Sequence, residues 1–443
     1  MRESGAGPHA RPKREAADGR RSGPRAGLRP GPGRLVIAQR RWPVISALGI
    51  VQILAWGCSY YLLTVLGPSI AAETGWGLPW IFGSLTAGML AAGLVAPFAG
   101  RTIGRRGGRP VLAVSALLLA AGLVVLGLAP NLPVFGLGWL VIGAGMGSGL
   151  YDAAFATLGR LYGADARPAI TTLTLWGGFS STLCWPLSAF LLAHLGWRGT
   201  CLTYAALQLG VCLPLILGAV PRAAPRPAAG GGRSDTVSLD ADERPVFLML
   251  AAIVTCTGIA TSIFSVHLLT LLQDRGLSLA AAVSLGTLVG PSQVGARLLE
   301  VANRSRHHPI WTLTAAVVLM AVGLLLLGSG LPAPGLVLVV YGAGNGLYSI
   351  GRGTLPLALF GPDRYAALLG RLAKPSLAAQ AVAPSAGAYL IAHAGADATL
   401  AALAVLGVID VVLVGALWRI RRRGRLTVRV ATEKKPLPQG GRG

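Results

Sequence analysis

Twelve apolar stretches of about twenty residues each run through this chain, and they fix its surroundings before any fold is considered. They fall at roughly 44–66, 80–99, 110–129, 133–157, 169–193, 198–220, 246–272, 279–301, 309–328, 335–357, 366–392 and 397–418, here numbered spans 1 to 12. At about 1.5 Å per helical residue, each is long enough to cross about 30 Å of hydrocarbon. Charged residues make up 12% of the chain, half of the roughly 25% usual in soluble domains. A water-exposed fold of this size would lack charge for its surface.

A seven-residue phrase occurs twice within these stretches. Gly145-Met146-Gly147-Ser148-Gly149-Leu150-Tyr151 returns 197 residues later as Gly342-Ala343-Gly344-Asn345-Gly346-Leu347-Tyr348. So long a period marks a duplicated half and not a short-repeat solenoid. Other landmarks recur at offsets of 194 to 199: Pro97 to Arg101 with Pro291 to Arg297, Pro186 with Pro384, and Ala193-His194-Leu195-Gly196 with Ala392-His393-Ala394-Gly395. The expected fold class is therefore an all-α integral membrane protein whose twelve transmembrane helices form two pseudo-symmetric six-helix bundles, 42–220 and 246–419. Residues 221–245, with Pro221, Pro225, Pro227 and Gly230-Gly231-Gly232, read as a flexible linker. Residues 1–41 and 420–443 read as basic tails, the first too rich in Arg, Gly and Pro to build a core.

The net charge of +23 invites a nucleic-acid partner, but its distribution argues otherwise. With the N-terminus placed in the cytosol, only Arg198 and Arg275 of the 39 basic residues fall on the outer side. That is positive-inside asymmetry, and it expects both termini in the cytosol and the protein in the plasma membrane. Trp42, Trp76, Trp80, Trp197, Trp311 and Trp418 fall at span ends, where an aromatic belt belongs. The cysteines Cys58, Cys184, Cys201, Cys212 and Cys256 all lie inside spans without metal-ligand spacing, so neither a disulfide framework nor a metal is expected.

Six plus six spans, a linker between them and a basic, glycine-rich loop after span 2 together resemble the major facilitator superfamily. Its loop signature is similar to Gly100, Arg105, Gly107 and Arg109 here, with Gly104 where the family has Asp and Gly108 where it has a basic residue. The resemblance covers residues 42–419. It implies that this loop gates the inner side through an acid–base contact, which the missing Asp puts in question, as does Asn303-Arg304 in the second half. Tyr60-Tyr61 and Gly196-Trp197-Arg198 resemble the branch of monocarboxylate and oxalate/formate carriers. The family implies that spans 1, 4, 7 and 10 line a central cavity, and the branch implies that basic residues on spans 8 and 11 hold an anion, for which Arg297 and Lys374 are the nearest equivalents.

On those spans the candidate solute-binding residues are Trp56, Ser59, Tyr60, Tyr61, Asn345 and Tyr348, together with Arg297 and Lys374. Aromatic rings with hydroxyls can enclose a small solute and direct a few hydrogen bonds to it; the same rings can simply pack between helices. Glycines four apart at Gly145 and Gly149 suit close helix approach, with a hinge as the alternative. Asp152 shares a face with Ser148 and Tyr151. A carboxylate at that depth is costly in lipid and must face protein or water, either as a proton-coupling group or as partner to an arginine such as Arg160. Arg352 either snorkels or meets solute, and Arg297 has Glu300 at i+3 as a possible ion partner. Asp410, mid-span 12, is expected to be hydrogen-bonded to a neighbour.

No nucleotide loop, metal cluster or nucleophile triad is present, so no enzyme activity and no cofactor are expected. The expected partners are the bilayer and a small-molecule solute, with protons a candidate coupling ion and no nucleic acid. The expected function is secondary active transport by alternating access, a small organic anion being favoured. Proton-coupled efflux of drugs or metabolites, and a non-transporting receptor or scaffold on the same fold, are the alternatives.

Overall fold

A computed structural model describes residues 41–222, 239–303 and 306–422. The expected tails, apart from Arg41 and the turn ending at Arg422, lie outside the described residues, as do Gly230-Gly231-Gly232 of the linker and Arg304. Every regular element among the described residues is a helix.

Span 1 is Arg41–Gly57 followed by Leu62–Thr74, span 2 is Leu78–Arg106 and span 3 is Gly108–Gly127. Span 4 consists of Leu132–Gly149 and Tyr151–Tyr162. Spans 5 and 6 share Ala166–Gly178 and Ser180–Leu207, a π-helical turn at Gln208–Cys212 and Leu213–Ala219. Span 7 is Glu243–Gln273, which begins inside the expected linker; span 8 is Leu279–Gly286 plus Val289–Ala302, and span 9 is Pro309–Gly328. Spans 10 to 12 run through Pro334–Arg422.

Among the described residues, seven helical runs are long and apolar enough to cross a bilayer. Two of them, Leu132–Ala219 and Pro334–Ile420, hold three crossings each. Span 8 is divided at Thr287-Leu288 into two shorter helices, and counting it gives the twelve crossings. The reversals inside the long runs fall on glycines. Gly196 (φ 67°, ψ 179°) turns span 5 into span 6, and Gly395 (φ 83°, ψ 173°) turns span 11 into span 12. A left-handed φ lets the chain double back within one residue, and only glycine adopts it without steric cost.

Glycine packing sets the register between the halves. Gly143 and Gly342 lie against Gly88 and Val289, Gly145 and Gly344 against Leu119 and Met320, and Gly147 and Gly346 against Ala92 and Gln293. Each pair on spans 4 and 10 is 199 residues apart. The equivalence of Gly145 with Gly342 suggested by the repeated phrase is thereby corrected by two positions. Gly143-Ala144-Gly145-Met146-Gly147 corresponds to Gly342-Ala343-Gly344-Asn345-Gly346, while Leu150-Tyr151 corresponds to Leu347-Tyr348. Ser148-Gly149 is a two-residue insertion.

Two extra residues rotate everything beyond them by about 200° on a 3.6-residue helix, and span 4 does not stay continuous. It breaks at Leu150 (φ −72°, ψ −166°). The carbonyls around the break find side-chain donors: Gln52 Nε2 reaches Gly149 O at 2.7 Å, Ser115 Oγ reaches Gly145 O at 2.7 Å and Ser148 Oγ reaches Ala144 O at 2.8 Å. Span 10 runs through the corresponding position unbroken.

The two ends of the molecule differ. At the end opposite the basic loops, Arg198 pairs with Glu73 (2.9 Å) and caps Ala129 O, while Arg275 pairs with Asp397 (2.7 Å) and caps Gly328 O. At the basic end the apolar core of the first bundle is shared across the seam, Leu357, Tyr365, Ala366 and Leu369 packing with Phe155 and Ile170. Leu94, Phe98 and Val412 are among the large apolar side chains left exposed on the outside, as a lipid-facing surface requires.

Candidate solute cavity and its closed end

Span 1 unwinds briefly between its two helices, where Tyr61 N–H bonds Trp56 O (3.1 Å) and Leu62 N–H bonds Ser59 O (3.1 Å). The turn sets three rings together, Trp56 lying 5.5 Å from Tyr60 and 6.1 Å from Tyr61 between centroids. The break in span 4 brings Tyr151 to 5.3 Å from Trp56, with Phe155 stacked behind it at 5.1 Å. Trp56, Tyr61 and Tyr151 face Gln293 and Arg297 of span 8 across a cavity of about 120 Å³. Gly177 and Gly178 form part of the wall, where a Cβ would strike the Tyr151 ring and the Arg297 guanidinium respectively.

Arg297 is only 6% exposed. Its donors reach Thr174 O (3.1 Å), Gln293 Oε1 (3.3 Å) and Gly346 O (3.4 Å), so it crosses from the second bundle to the first. All three acceptors are neutral. Glu300, the ion partner anticipated at i+3, instead accepts from Thr312 (2.9 Å) and pairs with Arg167 (3.4 Å) and His307 (3.3 Å). Hydrogen bonds to neutral oxygens satisfy the geometry of a guanidinium but leave its charge uncompensated in a low-dielectric site. On the facing wall, the Trp56 indole N–H is buried without an acceptor. Both features suit a ligand that brings negative charge and lone pairs.

Polar contacts between the bundles concentrate at the basic end. Asp152 of span 4 pairs with Arg352 of span 10 at 2.5 Å; the anticipated partner was Arg160. Arg167 bonds the His307 carbonyl as well as Glu300. Gly100 sits against the Ala366 carbonyl and Gly370, pressing span 2 onto span 11. Gly107 (φ 84°) ends span 2, and Gly108 abuts the Thr157 side chain, so a basic residue there would collide. Arg105 is exposed and Arg109 partly so. Toward the other end, Thr86 Oγ1 reaches Ala381 O at 3.2 Å.

The remaining expected residues lie elsewhere. Ser59 is buried in the turn of span 1 and donates to Ala55 O of the helix before it (2.5 Å). Tyr60 faces Ser262 of span 7. Tyr348 is buried and donates to Val254 O (3.2 Å), and Asn345 is half-buried on span 10. Lys374 is exposed and outside the cavity. Sequence reasoning passed over Gln293, Thr174, Arg167 and His307. Gln293 carries a signal, standing one helical turn before Arg297; the others meet their partners only across the seam.

A polar cavity thus lies at the seam of two six-helix bundles, with the ion pairs between the bundles gathered at one end. The chain belongs to the Major Facilitator Superfamily, whose sequence model matches residues 48–373. It is 31% identical over 274 residues to human monocarboxylate transporter 11, an alignment covering 58% of this chain and 55% of that protein. The mouse monocarboxylate transporter 11 is 34% identical over 205 residues, 42% of each chain. The chain thus spans about half the length of the curated relatives it matches. Among solved structures it resembles the human organic anion transporter MFSD10 (TETRAN), with TM-score 0.69 and 18% identity over 84% of this chain and 99% of that one. It also resembles the E. coli fucose:proton symporter FucP, with TM-score 0.64 and 13% identity over 84% and 98%. These likenesses establish a secondary transporter fold in a lipid bilayer.

Proposed function

We propose that the chain moves a short organic monocarboxylate across the plasma membrane by alternating access, with Arg297 holding the carboxylate and Trp56 and Tyr61 enclosing the remainder. The carrying observation is a buried guanidinium that has only neutral partners. The cavity of about 120 Å³ is well below the roughly 300–1,000 Å³ of pockets for drug-sized ligands. That favours a small anion over drug efflux, and the names of the curated relatives point the same way. The bundles 42–220 and 246–419 rock as units about the seam. The basic end faces the cytosol by the positive-inside rule, with both termini there. The described conformation then faces outward, with Asp152–Arg352, Arg167–Glu300 and the Gly100 contact closing the inner side. Lys374 stands outside the cavity and takes part only if the inward-facing state brings it in.

The test is flux of a labelled monocarboxylate, such as L-lactate, into proteoliposomes of the full chain. Arg297→Gln is expected to lower uptake more than tenfold while the purified protein stays monodisperse. Unchanged uptake in that variant would remove the anion site. Saturable binding of the solute without flux would instead identify a receptor.

A further inference from the structure

Asp410 is 3% exposed in the middle of span 12. Its Oδ2 accepts a 2.7 Å hydrogen bond from Thr257 Oγ1 of span 7, and its Oδ1 is buried with no partner. The titratable groups near it are Cys256, beside Thr257 on span 7, and Tyr348 on span 10. Span 9, where Gly407 packs on Ala321, presents no charged residue along Pro309–Gly328. Neither Glu243, Arg244 and His267 of span 7 nor Arg371 and Lys374 of span 11 pairs with Asp410. Ionised, this carboxyl would hold a full charge on one hydrogen bond in a low-dielectric site, which burial penalises. Protonated, it is neutral, and the cost is gone.

Asp410 is also connected to the transport path. One turn before Thr257, the Val254 carbonyl accepts from Tyr348 Oη (3.2 Å) and Ser376 Oγ (3.1 Å). Tyr348 and Arg352 share a face of span 10 as i and i+4, and Arg352 holds Asp152 across the seam. Tyr348 lies beside both Thr257 and Arg352, so polar side chains stand between Asp410 on span 12 and the ion pair that closes the basic end.

Resting on the carrier reading above, we propose that the Asp410 carboxyl is the proton-binding site of the transport cycle. With the basic end closed, hydronium has delivered a proton to the otherwise unpartnered Oδ1. When the Asp152–Arg352 pair parts and water enters beside Tyr348, that proton leaves to water and Thr257 keeps its bond to the carboxylate.

Infrared difference spectroscopy on the purified full chain tests protonation directly. The wild type is expected to show a protonated carboxyl stretch at neutral pH that Asp410→Asn lacks and Asp410→Glu retains. A band unchanged in Asp410→Asn, or absent from wild type, overturns the proposal. Without any variant, dicyclohexylcarbodiimide, which adds to protonated carboxyls in apolar surroundings, is expected to label Asp410 in peptide mass maps; an unlabelled Asp410 counts against the site. In proteoliposomes, Asp410→Asn is expected to keep lactate counterflow within about twofold while losing at least tenfold of the uptake driven by an inward proton gradient. Equal stimulation overturns coupling through Asp410. Absence of lactate flux in the wild type defeats the carrier reading instead, and the infrared and labelling results then decide the proton site alone.

Discussion

Spans 4 and 10 began as copies of one helix and now behave differently. Both use alternate glycines to approach two neighbours, spans 2 and 3 in one bundle and spans 8 and 9 in the other. Span 10 continues as a helix past Gly346, whereas span 4 carries Ser148-Gly149 in addition and breaks at Leu150. The break needs help from outside. Gln52 of span 1 satisfies Gly149 O, while the matching stretch of span 7, Phe247 to Ile253, is wholly apolar. Insertion and donor go together, and their product is the placement of Tyr151 in the cavity and Asp152 on Arg352. An ancestral symmetry has been broken at the two positions where one bundle must meet the other.

The most severe way to break this comparison is to remove the insertion. Deleting Ser148 and Gly149 is expected to restore a continuous span 4, turn Asp152 away from Arg352 by about 200° and abolish flux, with a loss of stability beyond the ~4 kcal/mol of an exceptional point mutation. Size-exclusion profiles and thermal melts in detergent check it; a fully active deletion would show the break to be incidental. Next in size, Arg352→Gln strands the Asp152 carboxylate and is expected to cost about 3–5 kcal/mol, most of it recovered in the double variant Asp152→Asn with Arg352→Gln. Gln52→Leu leaves Gly149 O without its donor and is expected to cost about 1–3 kcal/mol, while the reverse placement, Met249→Gln on span 7, gains nothing because span 10 is unbroken at the corresponding position.

The smallest effect lies at the basic end, between Glu243 and Arg364. The hydrogen bond from Arg364 holds the Glu243 carboxyl below the ordinary carboxylate range. A depressed folded-state value means the stabilisation is present at pH above the unfolded Glu value and lost as pH falls through the folded one. Acid titration of thermal stability is expected to show this loss in wild type and not in Glu243→Gln. Arg364 is about one-third exposed, so the difference is expected to stay under about 1 kcal/mol.

The crossings were legible because hydrocarbon admits only long apolar stretches, and the duplication was legible in its glycines. The break was not. The inserted pair reproduces the look of the phrase it interrupts, Gly149-Leu150-Tyr151 reading like Gly346-Leu347-Tyr348, so only the packing of Gly143 and Gly145 exposes the shift. The cavity was half visible. Trp56 and Tyr61 could be named from span and residue type and Arg297 from the resemblance to the monocarboxylate branch, but Glu300 stood one turn from Arg297 and looked like its partner. Arg167 and His307 take Glu300 through folding, Arg167 from a position 133 residues away, and no local pattern records that. The start of span 7 at Glu243 was hidden in the linker because Asp240, Asp242 and Glu243 read as solvated charge until Arg364 is seen to meet one of them.

Charge polarity is reversed between the bundles at the face opposite the basic loops. In the first, acidic Glu73 at the end of span 1 meets basic Arg198; in the second, basic Arg275 at the end of span 7 meets acidic Asp397. Such inversion requires passing through a corner with one neutral or mismatched member. At these water-exposed positions that passage loses less than about 1 kcal/mol, so evolution could relabel the corners freely. The largely covered Asp152–Arg352 latch has far less of that freedom, and a homologue that exchanges its two charges must do so in both residues together.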